Sequence, residues 1–262
     1  MKAYCINLDR RPDRLKHMTE VFAEHGIAFE RVAAVDGLDP SVAAAAAACR
    51  PGMYGRRLTP GAFGCFQSHR HVWRHLLASG ESHAAVFEDD LVVAEGLRLC
   101  LDDAWVPSDA DFVKLEANDH RVLLDRGRGL AVGARQLHRL RSRHAGTGAY
   151  VISAKAAQEL LAATEVIADP IDEALFNDDS PLFDTLITYQ MVPAPVIQGR
   201  RDKTPTAEGR TAHGGWQTSS IDVQPVQGPK RKKGLGARVQ RRMSGEIRAV
   251  KRGMLYMLVS FG

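Results

Sequence analysis

The stretch Ala84-Ala85-Val86-Phe87-Glu88-Asp89-Asp90 runs an apolar segment straight into three consecutive acids. The apolar part reads as a buried strand, and the acids mark the point where it leaves a sheet. In open α/β sheets ligands collect at the carboxyl ends of strands. Carboxylates packed this closely repel one another unless a cation neutralises them, and hard oxygen donors suit Mg2+ or Mn2+. A solvated acidic turn or a helix cap has the same composition, so the triplet alone leaves both readings open.

The flanking sequence supplies the rest of such a sheet. Upstream, Ala3 to Leu8 reads as a buried strand, and Asp9-Arg10-Arg11-Pro12-Asp13-Arg14 as a turn opening a helix, with proline near the first helical position. A helix over Leu15 to His25 and a strand over Ala28 to Val35, stopped by Asp36-Gly37, complete a strand-helix-strand unit. Such units build parallel sheets whose nucleotide sites lie where strands turn into helices. Neither G-x-G-x-x-G nor G-x-x-x-x-G-K-[ST] occurs, so dinucleotide-fold and P-loop chemistry lose their support and arginines are left to meet any phosphate. Ser41 to Cys49 is a small alanine helix, and Leu58-Thr59-Pro60-Gly61 introduces a long helix reaching Ala78. Its His71 and His75, four apart, read as a surface pair in the absence of H-E-x-x-H.

Downstream, Asp111 to Glu116 is a strand candidate, and the arginine-rich stretch Arg121 to Arg143 reads as a solvated hairpin or loop. Gly146 to Ser153 is a small-residue turn entering a strand. Ala154 to Ala163 reads as a helix, and Asp169-Pro170-Ile171-Asp172 opens another. Gly199 to Asp222 has no periodicity and reads as a long mobile or functional loop.

With 262 residues, 45% of them hydrophobic, the chain can bury a sizeable core. Four cysteines with no CxxC pair and no histidine at zinc-finger spacing argue for reduced thiols and against structural zinc. The N-terminus has no signal-peptide pattern, so the expected location is the cytoplasm, and no apolar run reaches the ~20 residues of a membrane span. Charge is unevenly spread. Gly228 to Arg252 holds ten Lys or Arg and one acid, Glu246, a local +9 within a chain of net +4. Leu235, Val239, Met243, Ile247, Val250, Met254 and Leu258 align on one side of a helix at ~100° per residue. A basic amphipathic helix of this kind predicts contact with an anionic membrane surface rather than nucleic acid. The expected division is a catalytic domain over 1–227 and a basic, helical tail over 228–262.

Read together, the segments resemble glycosyltransferase family 25, the bacterial lipooligosaccharide sugar transferases related to collagen galactosyltransferases. The resemblance rests on Ile6-Asn7-Leu8-Asp9-Arg10-Arg11 with Asp13-Arg14; Ala33-Ala34-Val35-Asp36-Gly37; Leu58-Thr59-Pro60-Gly61; Gly64-Cys65-Phe66-Gln67-Ser68-His69; Val86 to Asp90; Gly146 to Ser153; and Pro170-Ile171-Asp172. It implies an α/β fold of GT-A type, a nucleotide-sugar transferase with a twisted, mostly parallel central sheet. It also implies a divalent cation, Mn2+ or Mg2+, on the acidic motif and inversion at the anomeric carbon. In that reading Asp90 is the direct metal ligand, and Glu88 reaches the ribose or a metal-bound water. Asp89 orients the donor sugar, Asn7, Asp9, Arg10 and Asp36 hold base, ribose and phosphate, and His69 contacts donor or phosphate. Asp172 is the candidate base, with Glu116 and Asp119 as competitors. His213 is a further candidate metal ligand, set against a plain surface histidine, and Trp216 a candidate for stacking on an acceptor sugar. The expected reaction takes a hexose, galactose being the family's common choice, from a UDP-sugar to an oligosaccharide or lipid-linked acceptor at the inner face of the inner membrane. Rival readings are a catalytically silent membrane-associated scaffold or carbohydrate-binding protein, and a phosphotransfer domain, for which no nucleophile pattern is found.

Overall fold

The computed structural model describes residues 1–117, 120–125, 129–199 and 254–262. The first unit is β1 (Lys2–Asn7), α1 (Pro12–Glu24) and β2 (Glu30–Ala33), followed by α2 (Pro40–Ala48), α3 (Pro60–Ser79), β3 (His83–Glu88) and β4 (Leu91–Val93). Then come β5 (Phe112–Lys114), β6 (Arg121–Asp125), β7 (Leu130–Val132), β8 (Arg135–Arg139), β9 (Ala149–Ser153) and α4 (Ala154–Ala163). The order closes with α5 (Ile171–Phe176), α6 (Pro181–Thr185), β10 (Thr188–Val192), β11 (Val196–Gln198) and β12 (Met254–Leu258).

An eight-stranded sheet in the order β2-β1-β3-β9-β5-β10-β8-β7 organises the molecule. Strands β9 and β8 run against the other six, so most strands share one direction although reversed neighbours interrupt the parallel ladders. Alternation explains why the central strands are apolar throughout. Tyr4, Ile6, Ala84, Val86, Tyr150 and Ile152 enter one core layer with α3, α4 and α5, while Ala3, Cys5, Ala85, Phe87, Ala149 and Val151 enter the other beneath α1. Helix α3 starts where Thr59 accepts the Ala62 N–H and Pro60 sits in the first turn, and it stops at Gly80 with φ 72°. Buried Arg70 of α3 satisfies the end of α4 by donating to the Leu161 and Thr164 carbonyls at 3.0 and 2.8 Å.

Two expectations change. Arg121 to Arg143 is more than a solvated hairpin: β7 and β8 edge the main sheet, and Val122, Leu124, Leu137 and Leu140 are buried. The arginines conceal an alternating apolar face whose partners lie far away in the chain. The second change concerns the end of the tail, where Met254–Leu258 is a strand antiparallel to β6 rather than part of a helix. Val259 behind it is buried with Val122, Leu124 and Ala194 in a third cluster, so sheet pairing and apolar cover override the helical spacing there. The remainder of the basic segment and the long loop after Gly199 lie outside the described residues.

Candidate active site

A cleft opens at the carboxyl ends of β1, β2 and β3. The acidic motif forms one wall, with Glu88 ending β3 and Asp89 and Asp90 in the bend before β4. Asp89 accepts hydrogen bonds from Asn7 Nδ2 at 2.7 Å and Arg14 Nη1 at 2.9 Å, and Asp90 Oδ2 lies 3.6 Å from the same guanidinium nitrogen. Arg14, Asp89 and Asp90 are all buried. One buried guanidinium therefore braces both Asp89 and Asp90.

The opposite rim carries Arg10 and Asp36, joined Nε to Oδ2 at 2.6 Å. Burial pushes the Asp36 carboxyl up, but the Arg10 bond and the Leu38 N–H outweigh it and leave the group below its usual range. Asn7 and Asp9, expected to meet a donor, do not line the cleft. The Asn7 amide is committed inward, donating to Asp89 and to the Arg11 carbonyl at 3.0 Å and accepting from Arg31 Nε at 3.0 Å. Arg31 also reaches the exposed Asp9 carboxylate. The role these two residues display is to brace the acidic wall and the turn after β1.

Behind the wall, Glu88 is held from several sides. Its N–H donates to the Gly148 carbonyl at 2.8 Å, its Oε1 accepts from Thr147 Oγ1 at 2.8 Å, and its Oε2 from Gln198 Nε2 at 3.2 Å. His69 Nε2 lies 3.5 Å from Glu88 Oε1, and His69 Nδ1 meets the Tyr150 hydroxyl at 2.8 Å, which also accepts from Trp73 Nε1 at 3.1 Å. Cys65, one turn before His69 on α3, completes a group whose candidate ligand atoms lie within 4.8 Å of one another. Burial and the Glu88 and Asp172 carboxylates hold the Cys65 thiol well above its ordinary pKa. His71 and His75 stay out of the cleft.

The loop Gly146-Thr147-Gly148 is itself fixed from below. Lys114 Nζ donates to the Gly146 carbonyl at 2.5 Å and to Glu116 Oε1 at 2.6 Å, and Glu116 Oε2 accepts the Gly148 N–H at 3.0 Å. Both charged side chains are fully buried, and Lys114 Nζ sits 4.4 Å from the centre of the Phe176 ring. Desolvation pushes the Lys114 ammonium pKa down against the pull of Glu116. A Cβ on Gly148 would come within 2.6 Å of Glu116 Oε2, so only glycine fits over this pair. The first member of the loop, Gly146, donates its N–H to Asp172 Oδ2 at 3.0 Å, while Asp172 Oδ1 accepts the Glu173 N–H at 2.9 Å.

The structure thus gathers Arg10, Asp36, His69, Glu88, Asp89 and Asp90 around one cleft and sets Asp172 beside it, outside its lining. Asp119, His213 and Trp216 lie outside the described residues. The sequence reading assigns no role to Arg14, Arg31, Cys65, Lys114, Thr147 and Gln198. Of these, Lys114 carries a signal together with Glu116, since two opposite charges on one face of a buried strand must be paired. Gln198 carries none, because nothing in the order of residues places β11 beside Glu88, and Thr147 shows only as part of the Gly146 to Ser153 turn.

Comparison with known proteins agrees with this geometry. The sequence model of glycosyltransferase family 25, described as LPS biosynthesis proteins, matches residues 1–175. A lacto-N-neotetraose biosynthesis glycosyltransferase, LgtB, of Neisseria meningitidis serogroup B is 31% identical over 191 residues, 68% of either chain. The lipooligosaccharide biosynthesis protein lex-1 of Haemophilus influenzae is 30% identical over 156 residues, 55% of this chain and 51% of that one. Procollagen galactosyltransferase 1 of Danio rerio is 39% identical over 97 residues, 34% of this chain and 16% of that one. A solved mannose-1-phosphate geranyltransferase from Thermus thermophilus covers 76% of this chain and 74% of its own at 12% identity and a TM-score of 0.39, a likeness too slight to argue from. The chain belongs to glycosyltransferase family 25 and is a glycosyltransferase.

Proposed function

We propose that this enzyme has a GT-A type fold and is a metal-dependent, inverting hexosyltransferase. It moves a sugar, galactose being the first candidate, from a UDP-sugar to a lipid-linked or lipooligosaccharide acceptor. The observation that carries the reading is the cleft wall, where Glu88, Asp89 and Asp90 line one cleft with Arg14 as the buried counter-charge of Asp89 and Asp90. Relatives named for lacto-N-neotetraose and lipooligosaccharide biosynthesis support the acceptor class, and the procollagen galactosyltransferase supports galactose.

The donor set fits a hard divalent cation: three consecutive carboxylates lining one cleft. Asp90 and Glu88 are the residues proposed to hold Mn2+ or Mg2+, with Asp89 tied to Asn7 and Arg14, and Glu88 would exchange its Thr147 or Gln198 contact for the ion. When bound, such a cation stabilises the charge of a departing nucleoside diphosphate. The chain's own groups do the rest. Arg10 and Asp36 form the rim that meets the donor, and His69 backs Glu88. Asp172 is the proposed base for the acceptor hydroxyl, its carboxylate oriented by two backbone N–H groups. Glu116, by contrast, is sealed against Lys114 without exposure and is not placed to take a proton.

No helix among the described residues is long and apolar enough to cross a membrane. The +9 segment Gly228 to Arg252 supports peripheral contact with the anionic, cytoplasmic face of the inner membrane, where a lipid-linked acceptor is presented.

The test is turnover of UDP-sugars with and without divalent cations. Asp90→Ala is expected to lose nearly all activity with an unchanged circular dichroism spectrum, and wild type to stop in excess chelator. Full turnover in either case overturns the metal-dependent reading.

A further inference from the structure

We propose that Cys65, His69 and Glu88 form a second, thiophilic metal site for Zn2+ or Co2+ at the back of the cleft, which shares Glu88 with the hard-cation site on Asp90 and differs from it in its thiol and imidazole. The inference goes beyond the transferase reading and does not depend on it. The first observation is the clustering itself: a thiol, an imidazole and a carboxylate within 4.8 Å of one another, all three residues lining the cleft through which an ion would arrive. The second is His69 Nε2, which is buried, makes no hydrogen bond and points toward Glu88.

The geometry is close to that of a tetrahedral site. Bonds of about 2.0–2.3 Å to nitrogen, oxygen and sulfur put neighbouring ligand atoms roughly 3.4–3.6 Å apart. His69 Nε2 and Glu88 Oε1 are already 3.5 Å apart. The remaining separations, within 4.8 Å, need to close by about 1 Å, which a rotation of the Cys65 side chain on α3 can supply. Cys65 and His69 occupy one face of α3, four residues apart, so the helix presents both to the end of β3.

The chemistry of the three groups separates this site from the acidic wall. Magnesium and manganese favour oxygen, whereas thiolate and imidazole favour zinc and cobalt. Binding replaces the thiol proton: the Cys65 S–H bond breaks, the proton goes to solvent, and a sulfur–metal bond forms. One thiolate, one carboxylate and a neutral imidazole then balance a divalent charge, leaving a neutral site where none of the three ligands needs Arg14. The outer contacts of a metal-binding histidine are also present. Tyr150, fixed by the Trp73 N–H, holds His69 through Nδ1 and can donate to it or accept from it, so Nε2 is available as a ligand when Nδ1 carries the proton. With three protein ligands the fourth position faces the cleft, which is the open arrangement of reactive rather than structural zinc.

The experiment uses the full chain, freed of metal with chelator and titrated with Co2+. The expected result is a thiolate-to-cobalt charge-transfer band with intense tetrahedral visible bands, abolished in Cys65→Ser, retained in Cys49→Ser, and displaced stoichiometrically by Zn2+. Tyr150→Phe is expected to weaken binding about 10- to 100-fold. Independently of any variant, Zn2+ is expected to protect Cys65 of the wild-type protein from alkylation, as mapped by mass spectrometry. A weak octahedral spectrum, a band that survives Cys65→Ser or vanishes with Cys49→Ser, or alkylation of Cys65 at the same rate with and without Zn2+ overturns the proposal. None of these readouts requires turnover, so they stand apart from the transferase test.

Discussion

Two ion pairs in this molecule share an N···O distance of 2.6 Å and differ in everything else. Arg10–Asp36 at the cleft rim leaves its side chains 38% and 30% exposed, whereas Lys114–Glu116 behind the cleft is 0% exposed on both sides. Distance therefore says little about what a pair does; surroundings decide. The rim pair is solvated and free to exchange one partner for a ligand, with a small cost in stability. The rear pair has been taken out of water and is held by the loop backbone, so its groups cannot leave without stranding a charge. Together the two pairs divide the labour between a rim open to the cleft and a foundation that holds the loop beside Glu88 and Asp172 in place.

The strongest way to break this comparison is to remove one half of the rear pair. Lys114→Met leaves the buried Glu116 carboxylate without its counter-charge, and is expected to cost about 3–5 kcal/mol in denaturant unfolding. Lys114→Met combined with Glu116→Gln should recover part of that stability but not turnover, because the Gly146 carbonyl still lacks the lysine donor. Wild-type stability in Lys114→Met would show that the pair is no foundation.

Next in size is Asp172→Asn, which tests what the foundation positions. A base acting on the acceptor hydroxyl contributes typically 10²–10⁴-fold, so transfer is expected to fall by at least about 10²-fold, or about 2.7 kcal/mol, while donor affinity holds. Collapse of donor affinity with unchanged turnover at saturation would remove Asp172 from that role and make it a loop anchor alone.

The same contrast explains what was readable in advance. The front of the site was legible because each piece is contiguous: Asp9-Arg10-Arg11 after one strand, Asp36-Gly37 after the next, Glu88-Asp89-Asp90 after the third. A strand end marks its own site, and the parallel neighbours β1, β2 and β3 bring those ends together. At the rear Gly146 to Ser153, Glu116 and Asp172 were visible as pieces, but their meeting was not, because β5, β9 and β11 reach Glu88 through reversed strands and crossovers that local patterning does not encode. Asn7 and Asp9 show the limit at the front too, since position at a strand end was visible but the inward turn of the Asn7 amide was not. At the far end, helical spacing through Met254 and Leu258 was a real pattern overridden by the open edge of β6.

That edge supplies a third test. A chain ending at Gln227 loses β12 and the buried Val259 along with the basic segment, and is expected to be about 2 kcal/mol less stable by unfolding. Membrane contact is better tested by reversing charge at Lys230, Arg231, Lys232 and Lys233, which leaves β12 in place. Binding to anionic vesicles should then fall, and fall further with salt, while soluble-acceptor turnover persists. Unchanged sedimentation with vesicles would assign the basic charge to another partner.

The smallest expected effect belongs to the rim pair, and its smallness is the point. Because the folded Asp36 pKa lies below the ordinary 3.8, its stabilising contribution is present above that pH and is lost as pH falls through the folded value. Asp36→Asn should therefore flatten the acid side of the stability profile while costing less than about 1 kcal/mol at neutral pH. Arg10→Ala should be as mild toward unfolding, yet raise the donor KM, because the guanidinium belongs to the cleft lining and its work is done when a phosphate or ribose replaces the Asp36 contact. If Arg10→Ala instead destabilises the fold by several kcal/mol with donor KM unchanged, the rim is a second foundation and the division drawn from the two equal distances fails.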